Sequence, residues 1–314
     1  MCIRDSYLVF PTSWHPSQPY LSLPSLKAFL NQNGVHDVVQ RDLAIELLND
    51  LCTWEKTKPL YERIIRELNE LSSKPRLTQV ESEKFAKLRE AEEIIMALKD
   101  QIDAAVNSQR SPEFYEIDQY MENLKVMDVW LDNILAPYYP SQLTVIGSQM
   151  RFSPYSSKEV IDSFSHPEEN FFYDLYEKWY LDDILKDDID IFGISITSVE
   201  QIISGLTLAY LVKKKRPEIH ITVGGSVFTK LVDRLEKDAS PLFDFVDSFI
   251  VHEGETPLLR LVEHLRGDGD LSKVPNLIYR EEGIVKVNRP FAKEELNALP
   301  VSYTHLTLPT ILLV

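Results

Sequence analysis

Short apolar runs alternate with amphipathic stretches near both ends of the chain, and a long stretch of helical periodicity separates them. Residues 7–10, Tyr-Leu-Val-Phe closed by Pro11, predict a buried first strand. A loop over 11–19 carries three prolines with Trp14 and His15; Leu21, Leu26, Phe29 and Leu30 then mark a helix ending at Gly34, and 35–40 a second strand. From 43 to 136 the period is helical. Leu43, Leu47, Leu51 and Trp54 share one face, and Leu60, Ile64, Leu68 and Leu71 another after Pro59. A Thr78/Glu81 capping box opens a long helix striped by Phe85, Leu88, Ile95, Leu98, Ile102 and Ala105. A further helix with Phe114, Ile117, Met121, Leu124, Leu131 and Leu135 stops at Pro137. Residues 143–152 read as extended and 171–185 as helical.

Strand and helix alternation resumes with apolar runs at 189–197, 220–223 and 245–251, separated by a helix through Ile202, Leu206, Tyr210 and Leu211. Another helix begins at Thr256 with Pro257 at its first position. Residues 276–279 and 284–287 flank Glu-Glu-Gly as a β-hairpin, and 288–300 read as a linker. The order predicts an α/β fold: a five-stranded parallel sheet, a large helical insertion and a C-terminal β-hairpin.

Charge narrows the partners. The 314 residues carry 33 Lys+Arg against 49 Asp+Glu, a net charge of −16, which argues against nucleic acid and anionic membranes. Between Asp162 and Asp190 the acidic residues lack the spacing of a metal loop and read as a solvated face. Cys2 and Cys52 supply neither a disulfide framework, a four-cysteine zinc site nor an iron–sulfur cluster, so a reduced, cytoplasmic setting is expected. No apolar run approaches the roughly 20 residues that span a bilayer. Residues 1–6 and 301–314 read as non-native ends resembling translated adapter sequence, which would make the chain a fragment; Cys2 and His305 therefore enter no site.

Only Gly34 and Gly147 precede Gly193, whereas eight glycines fall between Gly193 and Gly283, so close backbone approach belongs to the later part. In an open parallel sheet ligands bind outside the carboxyl ends of the strands. The segments delivered there are 11–19, 195–198, 224–229 and 252–255, with Trp14 and His15; Ser195, Thr197 and Ser198; Gly224, Gly225 and Ser226; and Glu253, Gly254 and Glu255 as the candidate binding residues. Ser195 and Thr197 are expected to share one strand face, the glycine pair to admit a flat or amide-rich ligand, and the two glutamates to accept hydrogen bonds while disfavouring phosphate. Together they suggest a bulky, largely neutral ligand rich in donors. Each piece also has a purely architectural reading, as a tight turn or a helix cap. No G-x-G-x-x-G, G-x-x-x-x-G-K-[ST] or G-x-S-x-G occurs.

The ordered segments 14–26 (WHPSQPYLSLPSL), 190–197 (DIFGISIT), 221–226 (ITVGGS), 253–255 (EGE), 274–279 (VPNLIY) and 295–300 (ELNALP) resemble the N-terminal part of cobalamin-binding radical SAM proteins, particularly the branch associated with ribosomal-peptide maturation. The resemblance covers 7–300 and is weak through the insertion. It implies a Rossmann-like (flavodoxin-like) B12-binding domain formed by 7–42 with 187–270, a mainly helical insertion at 43–186, and a hairpin and linker at 271–300 leading toward a radical SAM domain. The nucleotide tail of cobalamin would thread near Ser195, Thr197, Gly224 and Gly225, with Glu253 to Glu255 nearby. In the family the following barrel binds a [4Fe–4S] cluster through C-x3-C-x2-C and cleaves S-adenosylmethionine. This chain lacks that triad, so it is expected not to be catalytic by itself, while a parent enzyme would methylate or otherwise modify a peptide or small molecule. The family-related D-x-H-x-x-G motif is half met, with His15 in place but Asp and Gly missing. The loop is thus expected to cover one corrin face with Trp14 in apolar contact, and no metal ligand is assigned. The alternative is a flavodoxin-like interaction or regulatory module without a corrin, docking a partner through its acidic insertion.

Overall fold

The computed structural model describes residues 6–15, 18, 20–186, 188–238, 240–295 and 299–300. Its strands are β1 (Ser6–Phe10), β2 (Val38–Asp42), the two-residue β3 (Gln142–Leu143) and β4 (Ser148–Gln149), β5 (Ile191–Ser195), β6 (His220–Gly224), β7 (Ser248–Ile250), β8 (Leu277–Glu281) and β9 (Ile284–Val287). The fold is α/β around a mixed seven-stranded sheet ordered β2-β1-β5-β6-β7-β8-β9. Neighbours are parallel from β2 through β7, and β8 and β9 add antiparallel. The sheet therefore does not stop at five parallel strands: β8 pairs with the outer edge of β7, covering backbone groups that would otherwise lie unpaired.

Period-2 alternation sorts the side chains onto two faces. Val9, Phe192, Ile194, Val223 and Phe249 face a core shared with the insertion and with the helix Gln201–Lys215. Leu8, Phe10, Ile191, Ile250 and Tyr279 face a smaller core under the helices Ser22–Gln32 and Glu255–Leu265. The register Leu8↔Gly193↔Thr222↔Ser248 runs across that second face.

The insertion is seated by buried polar ties as well as by its apolar stripes. Trp130 is fully buried and its Nε1 donates to the Leu51 carbonyl at 2.7 Å. The hydroxyls of Thr12, Tyr176 and Ser204 bond one another at 2.8–3.1 Å, fixing the loop after β1 to the insertion side.

Several elements depart from the periodicity. The second strand lies at Val38–Asp42 rather than 35–40, with Asp42 capping the helix Leu43–Leu51 through Ala44 N and Ile45 N. The helix Trp54–Ser72 runs through Pro59, because the carbonyl that loses its partner belongs to exposed Glu55 near the helix start. The long stripe from Thr78 splits into Gln79–Leu98 and Ile102–Ser108. The stretch 143–152 pairs only as the small β3/β4 hairpin. Ser6, expected to belong to a non-native end, opens β1 and is buried; residues 1–5 and 301–314 lie outside the described residues.

Candidate functional site

A cleft of about 440 Å³ opens between the second sheet face and the helices Ser22–Gln32 and Glu255–Leu265, and reaches the carboxyl edge of the sheet. Its size lies within the range of small-molecule sites, about 300–1,000 Å³. Leu8, Gly193, Thr222 and Ile250 form its floor. Gly193 matters there because a Cβ would stand 2.7 Å from Leu8 Cδ2. Leu23, Leu26 and Leu258 make the helical wall apolar. Polar contact is confined to a few groups, including Ser195, whose Oγ donates to Ser22 Oγ at 2.9 Å.

The loops after β6 and β7 form the rim. Gly224, Gly225 and Ser226 line it, but the reason for the second glycine is internal. Gly225 has φ +110° and a Cβ would fall 2.1 Å from Ile196 O, so the turn itself requires glycine with or without a ligand. Ser226 Oγ donates to Thr197 O at 2.9 Å, closing the loop on its neighbour. Glu253, Gly254 and Glu255 line the opposite rim beside His252, whose N–H donates to Thr229 Oγ1 at 2.7 Å.

Other expected residues fall elsewhere. Thr197 and Ser198 are not among the lining residues; Thr197 N, Thr197 Oγ1 and Ser198 N all donate to Gln201 Oε1. Buried Gln201 in turn donates to the Pro11 carbonyl, so this cluster is a loop clamp. Trp14 stands behind the cleft, edge-on to Phe10 and Tyr20, and supports Tyr20, which does line it. His15 is not among the lining residues: burial lowers its pKa, opposed by the Asp128 carboxylate of the insertion.

Charge at the rim is Lys230 against Glu253 and Glu255. Burial raises the Glu255 carboxyl, with Glu294 and Glu253 adding repulsion against the bonds it accepts from backbone N–H groups. The first amides of the helix Glu255–Leu265 are already taken: Gly254 N donates to Glu255 Oε2 and Thr256 N to Glu294 Oε1. A helix N-terminus that would ordinarily attract phosphate is thus satisfied by the chain's own carboxylates. Away from the cleft, His166, Glu168 and Glu169 approach one another closely enough for a metal, but Arg151 already pairs with Glu169.

Sequence reasoning missed Leu8, Tyr20, Gly193, Thr222 and Lys230, whereas Thr229 and His252 lie in segments it had brought to the sheet edge. The signal for the floor was present: 193/195 and 222/224 are alternate residues on adjacent strands and share a face. What was not legible is which face carries the opening, since that depends on the helices covering it. No protein-family model matches this chain, and no curated protein matches it.

Proposed function

We propose that this chain is a cobalamin-binding module of a B12-dependent radical SAM enzyme, built on a Rossmann-like, flavodoxin-type sheet. The observation that carries the reading is the cleft itself: apolar walls, a glycine in the floor, hydroxyls at Ser22, Ser195 and Thr222, and carboxylates on the first amides of the helix Glu255–Leu265. That donor set suits an amide-rich, flat-ringed ligand. A corrinoid is far larger than the cleft, so only a projecting part would enter, held by Ser195, Thr222 and the backbone of Gly224, with the ring outside at the rim. Cobalamin, when bound, supplies a cobalt centre that carries a methyl group. The residues fit no iron–sulfur cluster: of the two cysteines, Cys52 is completely buried, and burial raises its thiol pKa. Cluster ligands and S-adenosylmethionine chemistry would belong to a partner domain of the parent, acting on a peptide or small molecule.

Reconstitution with hydroxocobalamin followed by desalting tests the reading, with retained corrin absorbance expected. Gly254→Leu is the companion variant. Gly254 has φ −104° and its Cβ would meet Leu26 Cδ2 at 3.4 Å and Ile250 Cγ2 at 3.9 Å, ordinary contacts, so a side chain is tolerated by the fold yet enters the cleft. It should fold normally and lose the corrin. No retention by the unmodified protein refutes the proposal. The second reading, a corrin-free docking module, is favoured by Ile117 and Met121, 67% and 56% exposed at i,i+4 on the insertion; it predicts partner capture without corrin binding.

A further inference from the structure

Residues 288–295, after β9, do not leave the body of the protein as a free linker. Asn288 donates from its backbone to Leu277 O, and its side-chain amide donates to Leu271 O and Val274 O at 2.8–2.9 Å. Three residues on, Phe291 lies against the His252 ring with centroids 4.5 Å apart, and the Arg289 guanidinium sits over Phe291 while facing Glu236. Glu294 N donates to Glu253 Oε2, and the Glu294 carboxylate accepts from Thr256 N. The segment 288–295 is a strap across the outside of the His252–Glu255 rim.

Its central fastening is Asn276. This residue is 1% exposed and holds φ +56°, a conformation asparagine tolerates better than most side chains. Its Nδ2 donates to Glu253 O on the rim and to Ala292 O on the strap, and its Oδ1 accepts from Ala292 N. Its own carbonyl accepts from Val251 N, directly before the rim. One amide therefore bonds both the cleft wall and the strap. His252 also has a positive φ, +63°, so the rim holds a backbone conformation that its neighbours must maintain.

We propose that Asn276 is a positioning residue that couples the strap to the cleft, so that seating of 288–295 and occupation of the cleft stabilise each other. The ligand half of the coupling rests on the reading of the cleft as a binding site; the strap half does not. Linkage makes the coupling reciprocal: a ligand that orders the rim must also order the strap.

Hydrogen exchange followed by mass spectrometry on the full chain tests this. Asn276→Gly keeps the positive φ and removes the amide. It should speed exchange about tenfold in both 252–256 and 288–295, the scale of one net hydrogen bond, while β1 and β5 are unchanged. Phe291→Ala, a milder change on the outer side, should loosen the same two segments. Hydroxocobalamin should slow exchange at 288–295 in the unmodified protein, and Asn276→Gly should weaken its retention. Loosening of the strap alone, with the rim unmoved in both variants, overturns the coupling. If hydroxocobalamin is not retained while both segments loosen together, the cofactor reading fails and the strap coupling stands. If it is retained and strap exchange does not respond, the coupling fails and the cofactor reading stands.

Discussion

Asp42 sits where β2 turns into the helix Leu43–Leu51, and its buried carboxyl is pushed up from 3.8 to about 6. Burial is the main cause; the N–H bonds from Ile45 and Ala44 pull the other way, and Glu46 adds repulsion. An acid whose folded pKa is raised favours folding when protonated. Its contribution is full below the unfolded value and is lost as pH rises through the folded value. At about 1.4 kcal/mol per tenfold change in proton affinity, that rise corresponds to about 3 kcal/mol, withdrawn between roughly pH 3.8 and 6. Asp42→Asn removes the charge but keeps an oxygen able to cap the same two amides. Urea unfolding measured from pH 3.5 to 7.5 should therefore give two curves whose separation changes with pH, the variant gaining up to about 3 kcal/mol relative to the native chain as pH rises to neutrality. A constant separation across that range, whatever its size, would mean that Asp42 titrates normally and that its helix-cap bonds offset its burial.

Burial lowers the His220 imidazole from 6.5, so its contribution is present above that value and is lost as pH falls below it; His220→Asn should flatten the acid limb of the stability profile, and an unchanged limb would refute this. Gly225→Ala places a Cβ against Ile196 O in a left-handed conformation and should cost at least about 3 kcal/mol even without ligand, measured as loss of cooperative unfolding; native stability would contradict the turn geometry. Trp130→Phe orphans the Leu51 carbonyl, and about 1–3 kcal/mol should be lost from that group alone in thermal or urea unfolding.

Much of the architecture was legible because local physics wrote it. The near-continuous apolar run containing Ile191–Ser195 needs cover on both faces, which only a central strand receives, and the Thr78/Glu81 box marks a helix start whose reciprocal bonds do form. The loops after β6 and β7 were legible as a rim for the same reason: glycines and glutamates directly after buried strands have few other places to go. Among the described residues, no helix is long and apolar enough to cross a membrane, in line with the absence of a long apolar run.

Three things were decided only in three dimensions. Whether the hairpin stands apart or extends the sheet depends on the open edge of β7, which has no sequence signature. Whether Thr197 faces a ligand or a clamp depends on Gln201, whose buried side chain accepts from the Thr197 hydroxyl and N–H. The role of Asn276 depends on a strap 16 residues further along the chain folding back onto a rim 23 residues before it. Periodicity records the forces between near neighbours and a solvent boundary. It determined the strands, helices and faces of this protein; closure of the cleft and its fastening come from contacts between segments that only the folded chain brings together.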